Sequence, residues 1–230
     1  CAALAVDGME IPCLPVAHTP SLPAGGIEGE LIYLETGSEM ELSRAPLEGK
    51  IGLLSTLYGA DLEHYRRLMG CGLAALILVD DRLPFDWTVA VGVPAHWARM
   101  EMLPMLSIPY RHAWEIVRSG ARTARVDVQA WRRDAESQNV VGVLPGSDSE
   151  AGEVVITSHH DTVVNSVGGE DNGSGVGCML ELARAFAGSR PRRTLRFVSC
   201  GTEEQLSEGS RAYVLRHRDA VEKVCFVLNN

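Results

Sequence analysis

Apolar and polar positions alternate differently in the two halves of this chain. Up to residue 50 the apolar runs are short and broken by Pro and Gly, and alternating stretches such as Glu30–Glu35 predict strands joined by turns. Glu48-Gly49-Lys50 reads as a turn into a short strand, Ile51–Leu54. Leu62, Tyr65, Leu68 and Met69 share one helical face, and Gly70 stops that helix. Leu73–Val79 is a continuous apolar run and predicts a strand buried on both faces. Pro84 to Pro109 is loop-rich and carries Trp87 and Trp97. A short amphipathic helix, Arg111–Ser119, ends at Gly120, and Val126–Trp131 alternates as a strand does.

The polar stretch Arg132–Gln138 marks a junction. Beyond it four apolar strands are predicted, Val140–Leu144, Val154–Ser158, Thr194–Cys200 and Val224–Leu228, with helices over Ser174–Ala187 and Glu208–Arg218. The first two strands, joined by P-G-S-D-S-E-A-G, predict a hairpin. The later alternation of strand and helix predicts a mixed α/β sheet. Ser174–Ala187 is apolar on nearly all sides and is expected to lie inside the protein. The expected domains are 1–131, β-rich, and 132–230, α/β.

Composition narrows the function. The 230 residues are 46% apolar and 22% charged, which is ordinary for a globular chain. The net charge is −9 and the basic tract Arg190–Arg196 is short, so nucleic acid is not an expected partner. No apolar run approaches the roughly 20 residues of a membrane helix, so no membrane partner is expected. None of the six cysteines forms a C-x-x-C pair. Cys178, Cys200 and Cys225 fall in apolar patterns and are expected to be buried, a weak lean towards a reducing, cytoplasmic setting.

The candidate chemistry gathers between Glu153 and Ser210. An apolar strand ends in His159, His160 and Asp161; Asp171 follows in a glycine-rich turn; Glu203 and Glu204 follow the next strand. In open α/β sheets that carboxyl edge is where ligands bind. Imidazole nitrogen and carboxylate oxygen are zinc ligands. H-x-D can supply a ligand and a group that orients it, and adjacent glutamates at a strand end can supply a base and a ligand. His160 alternates in direction with His159 and is read as structural or substrate-facing. His18, His64, His96, His112 and His217 lack ligand spacing and are read as structural.

S-H-H-D-T-V, G-G-E-D-N-G-S-G-V and G-T-E-E-Q, in that order, resemble the co-catalytic dizinc aminopeptidase and glutamate-carboxypeptidase-like exopeptidase family. The resemblance implies a three-layer α/β/α sandwich acting on peptides with two zinc ions. It assigns His159 and Glu204 as ligands of separate zincs, Asp171 as the bridging ligand, Asp161 as the buttress of His159, and Glu203 as general base. Residues 1–131, with E-G-K-I-G-L-L, G-C-G-L-A-A-L-I-L-V and S-I-P-Y, resemble a protease-associated domain. The family also needs an Asp after the next strand and a later His, whereas this chain ends at Asn229-Asn230. Thr202 and Leu206 stand where the resemblance implies a smaller residue and a glycine. The expectation is a piece of a larger enzyme, an aminopeptidase rather than a carboxypeptidase, that binds zinc weakly or not at all and has little activity alone. The rival readings are a non-catalytic interaction module and a carboxypeptidase or amidohydrolase on the same scaffold.

Overall fold

The computed structural model describes every residue except 45, 56–60, 81–87, 89–99, 101 and 132; Trp87, Trp97 and His96 fall outside the described residues. The chain divides into two compact units, Cys1–Arg133 and Asp134–Asn230.

The first unit holds an eight-stranded mixed sheet. Its strands are β1 (Ala2–Val6), β2 (Met9–Ile11), β3 (Leu14–Pro15), β4 (Ile27–Tyr33), β5 (Ile51–Leu54), β6 (Ala75–Asp80), β7 (Met105–Pro109) and β8 (Thr123–Val128), in the order β2-β1-β8-β4-β5-β6-β7-β3. The run β4 to β7 is parallel, and β1, β2, β3 and β8 pair antiparallel. Three helices accompany it, α1 (Glu39–Ser43), α2 (Leu62–Met69) and α3 (Tyr110–Ser119).

The continuous apolar run of β6 has a direct cause. Ala75, Ile77 and Val79 point into one core with Ala113 and Ile116 of α3, while Leu76 and Leu78 point into another with Tyr65 and Leu68 of α2. A strand covered on both faces has no use for polar positions. Burying each of these leucines contributes about 2 kcal/mol. The predicted face of α2 is the buried one, Asp61 caps its first turn through the His64 amide at 2.7 Å, and Gly70 ends it. Gly120 ends α3 at φ 67°, a left-handed conformation that suits glycine.

The second unit is a four-stranded sheet in the order β12-β10-β11-β9, built from β9 (Val140–Leu144), β10 (Glu153–His159), β11 (Thr194–Cys200) and β12 (Val224–Asn229). β10, β11 and β12 are parallel, and β9 runs antiparallel to β11. Helices α4 (Gly175–Phe186) and α5 (Glu208–Arg216) cover opposite faces, and α6 (Arg218–Val221) follows α5 after a break at His217. Val155 and Val198 meet Tyr213 of α5, whereas Ile156, Leu195 and Phe197 meet Met179 of α4. Side chains alternate through the sheet, giving helix, sheet and helix in three layers.

Three expectations change. The hairpin does not form: β9 pairs with β11, Leu144 opposite Leu195 and Val140 opposite Ser199. The eight-residue connection 145–152 is too long for a tight turn. It lies instead along the lead into β11, with the amides of Ser147 and Asp148 donating to the Pro191 and Arg192 carbonyls. Helix α4 is not interior, because one sheet face is its cover: Met179 is buried, while Leu180 is 60% exposed. Of the cysteines expected to be buried, only Cys200 is; Cys178 and Cys225 face outward, from α4 and from β12 at the sheet edge.

Candidate metal centre

Three segments converge at the carboxyl ends of β10 and β11. β10 delivers His159 and the following Asp161. A π-turn, Gly169–Ser174, delivers Asp171 just ahead of α4. The loop leaving β11 carries Glu203 and Glu204. Gly168 opens the π-turn at φ 62°, and its carbonyl accepts from the Gly173 amide at 2.8 Å, closing the turn. The Asp171–Asn172 peptide is cis. The Asn172 side chain accepts from the Gly175 amide at 3.0 Å and donates to the Asn230 carbonyl at 2.8 Å, joining the turn to both α4 and β12.

His159 is the fixed point, with a side chain only 13% exposed. Its Nδ1 lies 3.1 Å from the Asp161 carbonyl oxygen. That oxygen can only accept, so Nδ1 carries the hydrogen. Nε2 then turns its lone pair to Asp171 Oδ1 at 2.9 Å, with Glu203 Oε2 at 3.8 Å. A lone pair and a carboxylate oxygen at that distance need a cation between them, a proton or a metal. Ligand atoms of His159, Asp171 and Glu204 all lie within 4.8 Å of one another, the only such group among the described residues. One nitrogen and two carboxylate oxygens make a donor set that zinc accepts. The residues present fit the metal.

The Asp161 carboxylate lies 3.6 Å from His159 Nδ1. Its hydrogen bonds go elsewhere: Oδ1 accepts from the Glu203 amide at 3.0 Å and Oδ2 from the Glu204 amide at 3.1 Å. Asp161 therefore holds His159 through its carbonyl and the two glutamates through its carboxylate. Glu204 Oε1 accepts from the Val163 amide at 3.2 Å. Burial, and next the charge of Asp171, push the Glu204 carboxyl above its ordinary value; His159 opposes this and Glu203 adds to it. Burial and neighbouring like charge both disfavour the ionised form of Glu204.

A cleft of about 660 Å³ opens beside these groups; His159, Glu170, Asp171, Glu203, Ser207 and Asn230 are among its lining, and Asp161 and Glu204 are not. Among its described lining residues there is no Lys or Arg. His160 points aside, its Nδ1 2.9 Å from Ser199 Oγ. Sequence reasoning passed over Ser207, whose hydroxyl donates to Glu203 Oε1 at 3.2 Å, and Asn139, which brackets the Glu203 loop. Both are short polar residues at element ends, where capping is the ordinary expectation, so nothing marked them as site residues.

Residues 139–230 match the family described as "Peptidase family M28". Aminopeptidase YwaD of Bacillus subtilis is 27% identical over 174 residues, covering 74% of this chain and 36% of that protein. Carboxypeptidase Q of Bos taurus is 27% identical over 212 residues, covering 85% of this chain and 44% of that protein. The structure of BSAP, a zinc aminopeptidase from Bacillus subtilis, superimposes with a TM-score of 0.77 at 23% identity, over 99% of this chain and 55% of that one. This chain thus spans little more than a third to a half of the length of these relatives. The mixed α/β architecture is theirs, and residues 139–230 are similar to peptidase family M28.

Proposed function

We propose that this site serves a zinc-dependent exopeptidase that removes N-terminal residues from peptides. The observation that carries the reading is the convergence of His159 Nε2, Asp171 and Glu204 on one point, with the Glu203 carboxylate beside it in an open cleft. His159, Asp171 and Glu204 would hold the metal, with Asp171 shared between two ions. Zinc, when bound, supplies a Lewis acid for the scissile carbonyl and lowers the pKa of water. Glu203 takes a proton from the attacking water and hands it to the departing amine. Asp161 keeps the Glu203 and Glu204 backbone aimed at the cleft, and Ser207 steadies the Glu203 carboxylate.

An aminopeptidase is favoured over a carboxypeptidase by charge. Apart from the proposed ligand Asp171 and base Glu203, the cleft is lined by the carboxylate of Glu170, and its described lining holds no lysine or arginine to receive a free carboxylate. A peptide ammonium suits such a wall; a peptide carboxylate does not. The two names among the relatives, an aminopeptidase and a carboxypeptidase, make this a question for assay. The first unit is proposed as a protease-associated module without catalysis of its own.

Three ligand side chains shared between two ions leave each ion short of protein ligands, so the 230-residue chain is expected to bind zinc weakly and to turn over little substrate. The test is an assay of the full-length gene product on aminoacyl-arylamides, N-blocked peptides and peptides with a free C-terminus, with and without chelator. Chelator-sensitive release from the aminoacyl-arylamides supports the proposal. Cleavage confined to free C-termini reverses the assignment of direction, and absence of chelator-sensitive hydrolysis rejects a peptidase.

A further inference from the structure

The loop that carries Glu203 and Glu204 is closed at its neck by an unusually tight contact. Gly201 and Gly209 are both buried, and a β-carbon on Gly209 would overlap the Gly201 carbonyl oxygen. Only glycine lets the two strands of backbone approach so closely. One side chain bridges that neck. Asn139, just ahead of β9, accepts from the Gly201 amide at 3.1 Å and donates from Nδ2 to the Gly209 carbonyl at 2.8 Å. Its amide thus satisfies one backbone group on each side of the neck, which a carboxamide can do and an acceptor-only carboxylate cannot.

The loop needs such a clasp. Thr202, Leu206 and Ser207 all have positive φ, at 55°, 63° and 60°. Non-glycine residues enter that region at a cost and stay there only when the surroundings hold them. Within the loop the Asp161 carboxylate pins the Glu203 and Glu204 amides, and at the neck Asn139 holds the ends.

We infer that Asn139 is a positioning residue that keeps the Gly201–Gly209 loop in its strained shape and so sets the aim of Glu203 and Glu204. Its side-chain hydrogen bonds go to the backbone of Gly201 and Gly209, not to the side chains proposed to hold zinc. Its consequence for zinc rests on the function proposed above; its consequence for the loop does not.

The test compares Asn139→Ala and Asn139→Asp with Glu153→Gln in the 230-residue chain. Asn139→Asp keeps the acceptor for Gly201 and loses the donor to Gly209. Glu153→Gln breaks the two-contact pair with Arg196, at 2.7 and 3.0 Å, at the opposite end of β10, and serves as a control for general loss of stability. Amide exchange of Glu203 and Glu204 is read in the metal-free chain, and zinc affinity by competition with a chromophoric chelator. Asn139→Ala is expected to speed exchange at both amides about tenfold or more and to weaken zinc about tenfold, the scale of lost outer-shell support. Asn139→Asp is expected to fall between, and Glu153→Gln to leave both readings unchanged at an equal loss of thermal stability. Unaltered exchange in Asn139→Ala, or equal changes in Asn139→Ala and Glu153→Gln, overturns the inference. Faster exchange in a chain whose wild type takes up no measurable zinc supports the clasp independently of the zinc reading, which the full-length assay decides.

Discussion

The two units use the same kind of residue in opposite ways. In the first, apolar strands are enclosed: Ile51, Leu54, Leu76, Ile77, Met105 and Ile108 are essentially inaccessible to solvent. In the second, β9 and β12 form the sheet edges and leave Val140, Val143, Phe226 and Val227 more than half or about half exposed, at 59%, 50%, 59% and 53%. The first unit spends its apolar residues on its own core and gathers no metal-binding group among its described residues. The second holds the candidate site on a smaller core. The lesson is that catalytic potential here follows from what projects at the strand ends, and stability from what is enclosed between layers.

Core truncation should show that contrast most strongly. Leu76→Ala, inside the first unit, is expected to cost about 3 kcal/mol in urea unfolding, the scale of emptying a closed core position. A loss below about 1 kcal/mol would mean that this core collapses around the gap. The same truncation at two valines sharpens the comparison inside the second unit. Val198→Ala, at 1% exposure, is expected to cost about 2 kcal/mol, and Val143→Ala, at 50%, less than about 0.5 kcal/mol. Equal losses would show that β9 is covered in solution.

The site offers a smaller effect on affinity. Asp161→Asn keeps the shape but leaves one neutral acceptor oxygen for two amides, and is expected to reduce zinc affinity about tenfold in the chelator competition. Unchanged affinity would remove Asp161 from the site's support. The smallest effect concerns strain. Leu206 is 56% exposed at φ 63°, so Leu206→Gly gives up little packing and relieves a left-handed leucine; a gain of roughly 0.5–1 kcal/mol in unfolding is expected. Thiol labelling completes the contrast. Cys178 and Cys225 are exposed and should react with maleimide promptly, whereas Cys200 is buried, its thiol pushed up first by desolvation and then by Asp161 and Glu203, and should wait for unfolding.

Much of this was legible in the chain because it is local. The period of α2, the apolar run of β6 and the carboxyl-edge location of His159, Asp171 and Glu203-Glu204 all follow from spacing within a few residues of each element. What escaped is long-range. Strand order decides that β9 joins β11 instead of β10, and no local pattern encodes that choice. The number of layers around α4 decides that Leu180 is exposed. The Asp161 carboxylate reaches amides more than forty residues away, at Glu203 and Glu204, and Asn139 clasps a loop sixty to seventy residues on. Polar bridges of that kind are set by the fold, not by a motif.

The most direct measurement is zinc binding to the 230-residue chain beside His159→Ala, by equilibrium competition in one buffer. The account predicts weak but measurable uptake by the wild type and its loss in the variant. Superimposable binding curves would mean that the imidazole and carboxylates at the ends of β10 and β11 do not form a metal centre.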